Sequence, residues 1–404
     1  MSNSILTIDM ITRKALEILE NNLVITRNVN RQYDDSFAVE GAKIGSTLRI
    51  RLPDRALVTD GAALQVQDDN EQYTTLTVSS QKHIGVNFTS AELTMQLDDF
   101  AERVLKPRIS QLAASVDNDV ANAYKSIYSS VGTPGTTPST SLVLLQAQQK
   151  LNEYAAPMGN RYATVNPAAN AGLVEGMKGL FNPGDTISRQ FKNGLMGSGV
   201  LGYDEISMSQ SIVQHTTGSR SASDTILVNG AVSTQGATTI NLDGGTGSAT
   251  FAVGDVFTIA NVYSVNPQTR QSTGSLQQFV VTAANTASSG AWTSVAISPA
   301  IYTPSNALAT VDSFPADNAA VTVLGAASTT YPQNLVYQKD AITFATADLL
   351  LPQGVDMASR QVHNGISLRI VRQYDINNDR MPCRIDVLYG YSTIRAPMAA
   401  RIWG

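Results

Sequence analysis

Three short patterns in the sequence contain residue types that could do chemistry, and a glycine-rich one comes first. Residues 197–202 read GSGVLG, which matches the dinucleotide-binding fingerprint, and Asp224 follows at the distance of a ribose-binding acid. Such a loop needs an apolar strand before it and a helix N-terminus after it, because the helix end binds the pyrophosphate. Here polar residues 189–193 precede the glycines and a strand-like segment follows. We therefore predict no cofactor site at this loop.

An acidic cluster near the C-terminus is weakly similar to a calcium-binding loop. Asp375 and Asp379 lie close together, and Asp386 follows a few positions later. Arg380 stands where that loop needs glycine, Pro382 stiffens the segment, and the flanking patterns are those of strands rather than helices. A β-hairpin turn explains these residues better than a metal site.

Histidine and cysteine form no pattern typical of metal binding or catalysis. His83, His215 and His363 are far apart and share no spacing with a carboxylate or thiol, so zinc ligation and triad chemistry have no support. Cys383 is the single cysteine, which excludes an internal disulfide, and we interpret it as a small buried apolar residue. We predict no catalytic, metal or cofactor site, and no enzyme.

The composition predicts a folded protein with a sizeable core. Of 404 residues, 43% are hydrophobic and 15% are charged, and the formal net charge is -5. Two or three folded units are expected at this length. The acid excess argues against a dedicated nucleic-acid binder, which concentrates Lys and Arg. No apolar run is long enough to span a membrane and no signal peptide is evident, so we expect folding in a reducing cytoplasm.

The N-terminal segment predicts an amphipathic helix over residues 4–20. Ile8, Ile11, Ala15 and Leu19 fall on one helical stripe. A helix this small has no core of its own, and we expect it to need a partner surface.

A long projecting hairpin is predicted next. Residues 46–53 alternate, with Arg49 and Arg51 on the face opposite the apolar residues, and residues 74–88 resume the two-residue period. Between them lies a polar loop with turn signals, including Asp68 and Asp69. A polar loop of this length suits an arm laid over a neighbouring subunit better than a compact monomer.

The strongest helical pattern covers residues 93–128. Apolar residues recur there at intervals of three or four, and Thr89 and Glu92 have the spacing of a capping box. Pro107 predicts a kink or a restart of the helix. Residues 141–212 then combine helical and strand patterns, which indicates an α/β segment.

The composition changes abruptly at residue 224. From there to residue 334, short alternating runs are separated by Gly and Asn turns, and the charged residues are Asp224, Asp243, Asp255, Arg270, Asp312 and Asp317. This pattern predicts a β-barrel inserted into a larger α/β host, whose chain resumes at residue 335. In the tail, alternation over residues 383–389 predicts a hairpin strand with a buried face and a wet face, the latter carrying Arg384 and Asp386.

The order of these parts resembles the major coat proteins of short-tailed bacteriophages, which have the Hong Kong ninety-seven type capsid fold with an inserted β domain. Similar segments are a helix opening at 97–100, an approach to the axial domain at 199–203, barrel segments at 254–257, 265–269 and 278–281, and a closing strand at 383–390. The resemblance covers nearly the whole chain, and the shared order of the motifs carries it.

The resemblance implies an α+β fold in five parts. These are an N-terminal arm (1–30), an extended loop and peripheral domain with a spine helix (31–140), a first axial part (141–223), the inserted β-barrel domain (224–334) and the completion of the axial and peripheral domains (335–404).

The same resemblance implies a structural role without catalysis. Pentamers and hexamers of the chain would form an icosahedral shell around double-stranded genomic DNA, which is bound non-specifically. Scaffolding protein, portal protein and an optional decoration protein are the implied partners, and no membrane is involved. The expected location is the virion capsid, assembled in the cytoplasm of a host bacterium.

Candidate interface residues follow from the residue pattern and this role. Asp9, Glu17 and Glu20 suit a basic helical scaffold segment, whereas Arg49 and Arg51 could pair with Asp68 and Asp69 of a neighbouring subunit. Two alternatives stay open. A β-rich tail or fibre protein would lack the helix at 93–128, and a nucleotide-cofactor enzyme would use the glycine loop.

Overall fold

The computed structural model describes residues 8–34, 47–53, 55–59, 61–62, 64, 66, 72–88, 101–176, 196–377 and 381–404. The chain forms two compact units. Unit 1 consists of Met1–Ile50, Tyr73–Ala121 and Ile342–Ile394, and unit 2 of Arg51–Gln72, Asn122–Ala341 and Arg395–Gly404. Both units combine helices with strands, which confirms the predicted α+β class.

In the described ranges the helices are α1 (Ile8–Asn22), α2 (Ile25–Asn28), α3 (Lys106–Ala121), α4 (Ser141–Glu153) and α5 (Pro167–Gly176). The strands up to residue 216 are β1 (Asn30–Asp34), β2 (Thr47–Arg51), β3 (Tyr73–Thr77), β4 (Ser80–Phe88), β5 (Ser130–Val131), β6 (Arg161–Val165), β7 (Gly197–Val200), β8 (Tyr203–Met208) and β9 (Gln214–Thr216).

The next strands are β10 (Leu227–Val228), β11 (Ala237–Asp243), β12 (Thr250–Phe251), β13 (Val256–Val265), β14 (Ser272–Val281), β15 (Asn285–Thr286), β16 (Trp292–Ile301) and β17 (Val321–Val323). The last strands are β18 (Thr330–Pro332), β19 (Asn334–Gln338), β20 (Ile342–Ala347), β21 (Met357–His363), β22 (Ile366–Arg372), β23 (Met381–Thr393) and β24 (Ala399–Ile402). Within the described residues, no helix is both long and apolar enough to cross a bilayer.

The N-terminal helix α1 finds its partner surface inside unit 1. Ile11, Ala15, Leu16 and Leu19 are buried, and the helix packs against α3, β21 and β22. The amphipathic pattern and the need for a partner surface are confirmed, and that surface lies in the same unit, where a sheet and a second helix bury the apolar stripe. Only its polar face is left for another molecule.

The predicted spine helix is irregular where proline occurs. A π-helical turn, Ala101–Leu105, changes to α-helix at Lys106, next to Pro107, and a 3-10 turn, Asn122–Ser126, follows α3. This confirms the predicted restart, since proline lacks the N–H that a continuous helix would use. The capping box at Thr89 and Glu92, and the helix opening at 97–100, lie outside the described residues.

In the sheet of unit 1, one of the two residues predicted to lie on the solvent-exposed face of the C-terminal hairpin is buried. The strand order of this sheet is β1-β20-β23-β22-β21, and β4 also pairs with β23. Asp386 is fully buried on β23 because Arg369 from β22 and Gln81 from β4 cover its carboxylate, whereas Arg384 is exposed as predicted. The two-residue period was correct, but strands from distant parts of the sequence cover one of its polar positions.

Unit 2 contains a mixed sheet with the order β5-β24-β19-β6-β8-β7. Leu144, Ala147 and Leu151 of α4 and Leu173 of α5 form its apolar core with residues of the sheet. β6 and β8 are parallel, as expected for strands joined through a helix. The α/β prediction for residues 141–212 is confirmed for the described part.

The charge-poor segment forms the predicted β-barrel. The strand order is β10-β11-β16-β14-β13-β17, and Leu227 of β10 bridges to Ala320, next to β17, which brings the two edges of the sheet together. Phe251, Phe257 and Trp292 lie in one buried apolar cluster inside it. The alternating short strands therefore stabilise the barrel by burying aliphatic and aromatic side chains, and this does not require charged residues on its surface.

Candidate assembly surfaces and a buried charge network

Of the three acidic residues predicted to meet a scaffold, Asp9 and Glu17 are exposed and Glu20 is half-buried. Glu17 lies on the outer face of α1. Its side chain is 58% exposed, and its carboxylate pairs with Lys14 over 3.1 Å. Asp9 accepts a hydrogen bond from the Ser359 hydroxyl of β21. The outer face of α1 therefore presents Glu17 to a partner, whereas Asp9 already has a contact within unit 1.

Glu20 has contacts within unit 1. It accepts hydrogen bonds from Asn364 Nδ2 (2.7 Å) and Arg31 Nη1 (3.1 Å), and His363 Nε2 lies 3.5 Å from it. Burial alone would raise the pKa of Glu20, but hydrogen bonds from Asn364 and Arg31, with the charges of Arg31 and His363, lower it below its usual value. Glu20 thus fixes the end of α1 to the turn between β21 and β22.

The two predicted loop arginines lie where the alternation put them. Arg49 and Arg51 occupy the exposed positions of β2, and the guanidinium carbon of Arg49 is 5.0 Å from the centroid of the Tyr73 ring on β3. Asp68 and Asp69, the predicted partners on a neighbouring copy, lie outside the described residues. The pairing of these charges stays a prediction.

The loop between β2 and β3 carries large apolar side chains that are exposed to solvent. Val58, Leu64 and Val66 are 82%, 89% and 84% exposed. The prediction of a uniformly polar loop is wrong at these three positions. Apolar side chains this exposed on one loop are typical of a surface that another molecule covers.

The glycine motif is a hairpin and not a nucleotide loop. β7 and β8 pair antiparallel with Val200 opposite Tyr203, and the two residues between them, Leu201 and Gly202, have φ of 53° and 77°. Two consecutive positive φ values are the signature of a tight hairpin turn. The residues that would open a pyrophosphate-binding helix are therefore in strand β8, which rules out the cofactor-binding loop.

Asp386 and Cys383 also have structural roles. Arg369 donates from Nε and Nη2 to both oxygens of Asp386, at 3.0 and 2.6 Å, so the negative charge of this carboxylate is already paired with a guanidinium. Burial raises the pKa of the Cys383 thiol to about 12, which suits an apolar core residue and not a nucleophile. In the described ranges no cluster of three or more His, Cys, Asp or Glu side chains could hold a metal.

His215 has a carboxylate partner that spacing along the sequence did not reveal. Its Nε2 lies 2.9 Å from Asp255 Oδ1, and its Nδ1 lies 3.2 Å from the Tyr124 hydroxyl. Arg220 Nη1 donates to Asp255 Oδ2 over 3.0 Å. Linear spacing hid the pair, since the partners belong to segments far apart in the chain.

Arg401 completes what we call the buried charge network, defined as Tyr124, His215, Arg220, Asp255 and Arg401. Arg401 Nη1 donates to the carbonyl of Gly254 over 2.7 Å, and its guanidinium carbon is 5.1 Å from the centroid of the Tyr124 ring. Each member of the network lies on a different segment of unit 2, so the network joins the start of barrel strand β13 to β9 and β24.

Electrostatics within the network favour an ionised Asp255. Burial would raise the pKa of this carboxyl, but the hydrogen bond from His215, two backbone N–H groups and the charge of Arg220 lower it. Burial lowers the pKa of Arg401 to about 10, although Tyr124, Tyr331 and Asp255 act in the opposite direction.

The Tyr–His–Asp arrangement is sealed from substrates. The side chains of His215 and Asp255 are 3% and 0% exposed, so no solute reaches the imidazole. We assign it a structural role in holding chain segments together. One sequence signal could have revealed it: Asp255 is the single charged residue in the apolar run 251–260, and a buried carboxylate requires a partner.

Along nearly its whole length, the chain is similar to structural coat proteins of bacteriophage virions. The family model described as "P22 coat protein - gene protein 5" matches residues 1–402. The chain belongs to the P22 coat protein family. Its members are structural proteins, so the chain is not an enzyme, and its fold is the predicted tailed-phage capsid fold.

Solved structures similar to the chain include one of Mycobacterium phage Che8, with 10% identity, coverage of 94% of this chain and 90% of the other, and a TM-score of 0.47. The capsid structure of the cyanophage P-SCSP1u has 12% identity, coverage of 94% and 88%, and a TM-score of 0.44. The CUS-3 coat protein I-domain has 29% identity over 26% of this chain and 98% of its own, with a TM-score of 0.20. No curated protein matches the chain.

Proposed function

We propose that this chain builds the shell of a tailed bacteriophage by assembling with copies of itself into pentamers and hexamers. The shell is icosahedral and encloses double-stranded genomic DNA, which a mildly acidic chain contains without sequence-specific contacts. Membership of the coat protein family over residues 1–402 is the observation that carries this proposal. A scaffolding protein, a portal protein and an optional decoration protein are the proposed partners, with assembly in the host cytoplasm.

The loop between β2 and β3 is the proposed arm that reaches a neighbouring copy. Val58, Leu64 and Val66 support this, because burying each of them against another subunit contributes about 1.5–3 kcal/mol. Arg49 and Arg51, at the exposed positions of β2, are the proposed partners of Asp68 and Asp69 on that copy.

We also propose the five-part division with limits at 1–30, 31–140, 141–223, 224–334 and 335–404. The cluster of buried barrel residues supports the fourth part, since its members all lie between Ile226 and Val321. The core of unit 2 around α4 draws Val336 and Ile402 from the last part, as expected for a host whose chain resumes after an insertion.

Assembly itself is tested by negative-stain microscopy of the purified chain, alone and with its candidate scaffold. Capsomer rings or closed shells are the expected result. A chain that stays monomeric under every salt and scaffold condition would contradict the proposal.

The arm is tested by the double substitution Leu64→Ser and Val66→Ser. Shell yield should fall by more than about tenfold, because two apolar contacts are lost at the subunit interface. The matched control is Thr59→Ser in the same loop, which should assemble normally. Unchanged yield in the double variant, with an unchanged unfolding midpoint, would remove the loop from the interface.

The scaffold contact is tested most sharply at Glu17. Glu17→Lys should weaken scaffold-dependent assembly at moderate salt, because Asp9, Glu17 and Glu20 are proposed to meet a basic helix. Glu17→Gln is the control that removes charge without reversing it, and it should have the smaller effect. Charge reversal at Glu20 is less informative, since it would also break the contacts with Arg31 and Asn364. Equal assembly by wild type and both Glu17 variants would contradict the proposed contact between α1 and the scaffold.

A further inference from the structure

One edge of the Arg401 guanidinium has no hydrogen-bond acceptor among the described residues. Nη1 donates to Gly254, whereas Nε and Nη2 are buried and have no hydrogen-bond acceptor there. These two N–H groups lie along the same edge of the planar guanidinium and form the fork that binds carboxylates and other anions. A buried fork without an acceptor is costly, because a desolvated donor loses its bonds to water.

Two other arginines show what this edge does elsewhere in the protein. Arg369 directs Nε and Nη2 at Asp386, over 3.0 and 2.6 Å. Arg372 directs the same two atoms at Asp356, over 2.8 and 2.6 Å. In both cases the fork binds a negatively charged oxygen, which Arg401 lacks.

Further donors lie on the same face of the sheet as Arg401. Ser130 on β5 is the register partner of Arg401 on β24, so their side chains are neighbours on one face. Trp403 lies two positions beyond Arg401, and its backbone N–H continues the ladder to Val131, which places it on that face too. Ser130 Oγ and Trp403 Nε1 are also buried without a protein partner in the described part of the chain.

The charge balance around this face favours an anion over water. Arg220 and Arg401 bring two positive charges, and Asp255, the carboxylate of the network, already accepts bonds from His215, Arg220 and backbone N–H groups. A water molecule must donate its own two hydrogens, but the guanidinium fork and the indole N–H offer only donors, which leaves the Ser130 hydroxyl as the one acceptor among the groups named here. An anion accepts from all of them and offsets the excess positive charge.

We propose that unit 2 binds a small monovalent anion of the chloride class on the Nε and Nη2 edge of Arg401, next to Ser130 and Trp403. Arg401, Ser130 and Trp403 are 0%, 3% and 2% exposed, so the ion is taken up as the unit folds and is small and desolvated. It stabilises the pairing of β24 with β5 beside the buried charge network.

The first test is thermal unfolding of the full chain at constant ionic strength while chloride replaces methanesulfonate. Because the ion binds only the folded state, Tm should rise by about 1–3 °C for each tenfold increase in chloride above the dissociation constant. Arg401→Met should abolish this response and Ser130→Ala should reduce it. Arg372→Met is the matched control, since Asp356 already fills that fork, and it should keep the response. An equal chloride response in Arg401→Met and wild type would overturn the proposal.

The second test needs no variant, so it remains decisive if Arg401→Met fails to fold. Crystals of the wild-type chain are grown in bromide, and data are collected at the bromine absorption edge. An anomalous peak within hydrogen-bonding distance of Arg401 Nε and Nη2 is expected. Ordinary water density at both atoms, without anomalous signal, would exclude the anion.

Discussion

Two buried aspartates, one in each unit, are stabilised in opposite ways. Asp117 of α3 in unit 1 accepts backbone N–H bonds from residues at the start of α2, among them Val24 at 2.6 Å and Thr26 at 3.0 Å, and it also accepts the Thr26 hydroxyl. Asp255 in unit 2 accepts from His215 and Arg220. The first has neutral partners, and the second has a cationic one.

The pKa values of the two carboxyls show the consequence of this difference. For Asp117, burial outweighs the hydrogen bonds from Thr26, Val24 and Ile25 and raises the pKa. For Asp255, burial also acts to raise it, but His215, backbone N–H groups and Arg220 together lower it. Backbone dipoles hold a buried carboxylate in place, whereas keeping it ionised here takes the imidazole and the guanidinium as well.

The largest effect is expected from Asp255→Asn. Removing this carboxylate leaves two buried guanidinium groups without a protein counter-charge, which should lower the free energy of unfolding by about 3–5 kcal/mol. Urea-induced unfolding of the full chain measures it. The control is Asp224→Asn, a half-buried residue at the edge of the same segment whose hydrogen-bond donors, the Ser221 N–H and the Thr246 hydroxyl, are neutral, so the loss should be about 1 kcal/mol. Similar losses in both variants would show that the network does not stabilise unit 2.

A smaller effect is expected from Asp117→Asn. The amide keeps one acceptor oxygen for α2 and leaves no unpaired charge, so the loss should be about 1–3 kcal/mol. Unfolding in urea again measures it. A loss larger than that of Asp255→Asn would reverse the ranking of the two sites and refute the distinction between them.

Lowering the pH should change the contributions of Asp255 and Asp117 to stability in opposite directions. The lowered pKa of Asp255 means that its contribution is present above about pH 4 and is lost as the pH falls through the folded-state value, at about 1.4 kcal/mol per pKa unit. The raised pKa of Asp117 means that its contribution appears on acidification and is lost as the pH rises through the folded-state value. Stability should therefore fall less steeply below pH 4 in Asp255→Asn, and more steeply than wild type on acidification in Asp117→Asn. Parallel pH profiles for both variants would contradict this.

The smallest effect is expected from the exposed pair on α1. Glu17→Gln breaks the contact with Lys14, but an exposed pair of this kind contributes less than about 0.5 kcal/mol. The unfolding midpoint should therefore stay within error of wild type. A clear loss of stability would mean that Glu17 has an intramolecular role, and any assembly defect at this residue would then need another explanation.

Local periodicity predicted much of the architecture. The alternation around Arg49 and Arg51, the helical stripe of α1 and the restart at Pro107 depend on residues within a few positions of one another, so the sequence displays them directly. The barrel was predictable because its composition differs so sharply from that of the flanking chain.

Contacts between distant segments were not predictable in the same way. The burial of Asp386 depends on Gln81 and Arg369, and the pairing of His215 with Asp255 depends on which strands meet in unit 2. The partner of α1 was missed for the same reason, since β21 and β22 lie hundreds of residues away. The interface roles of Asp9, Glu17, Glu20, Arg49, Arg51, Asp68 and Asp69 stay predictions.

The short ribbon formed by β9 and β18 has a consequence for how this coat protein can change. His215 on the strand leading into the barrel lies opposite Tyr331 on the strand leading out of it, and Val321 N–H bonds to the carbonyl of Ile226 just inside. A segment whose two ends already lie side by side can be lengthened or shortened at its far loops without rerouting the surrounding chain. A foreign module placed at this junction would also have to supply the acceptors that Asp255 and Gly254 provide to His215, Arg220 and Arg401.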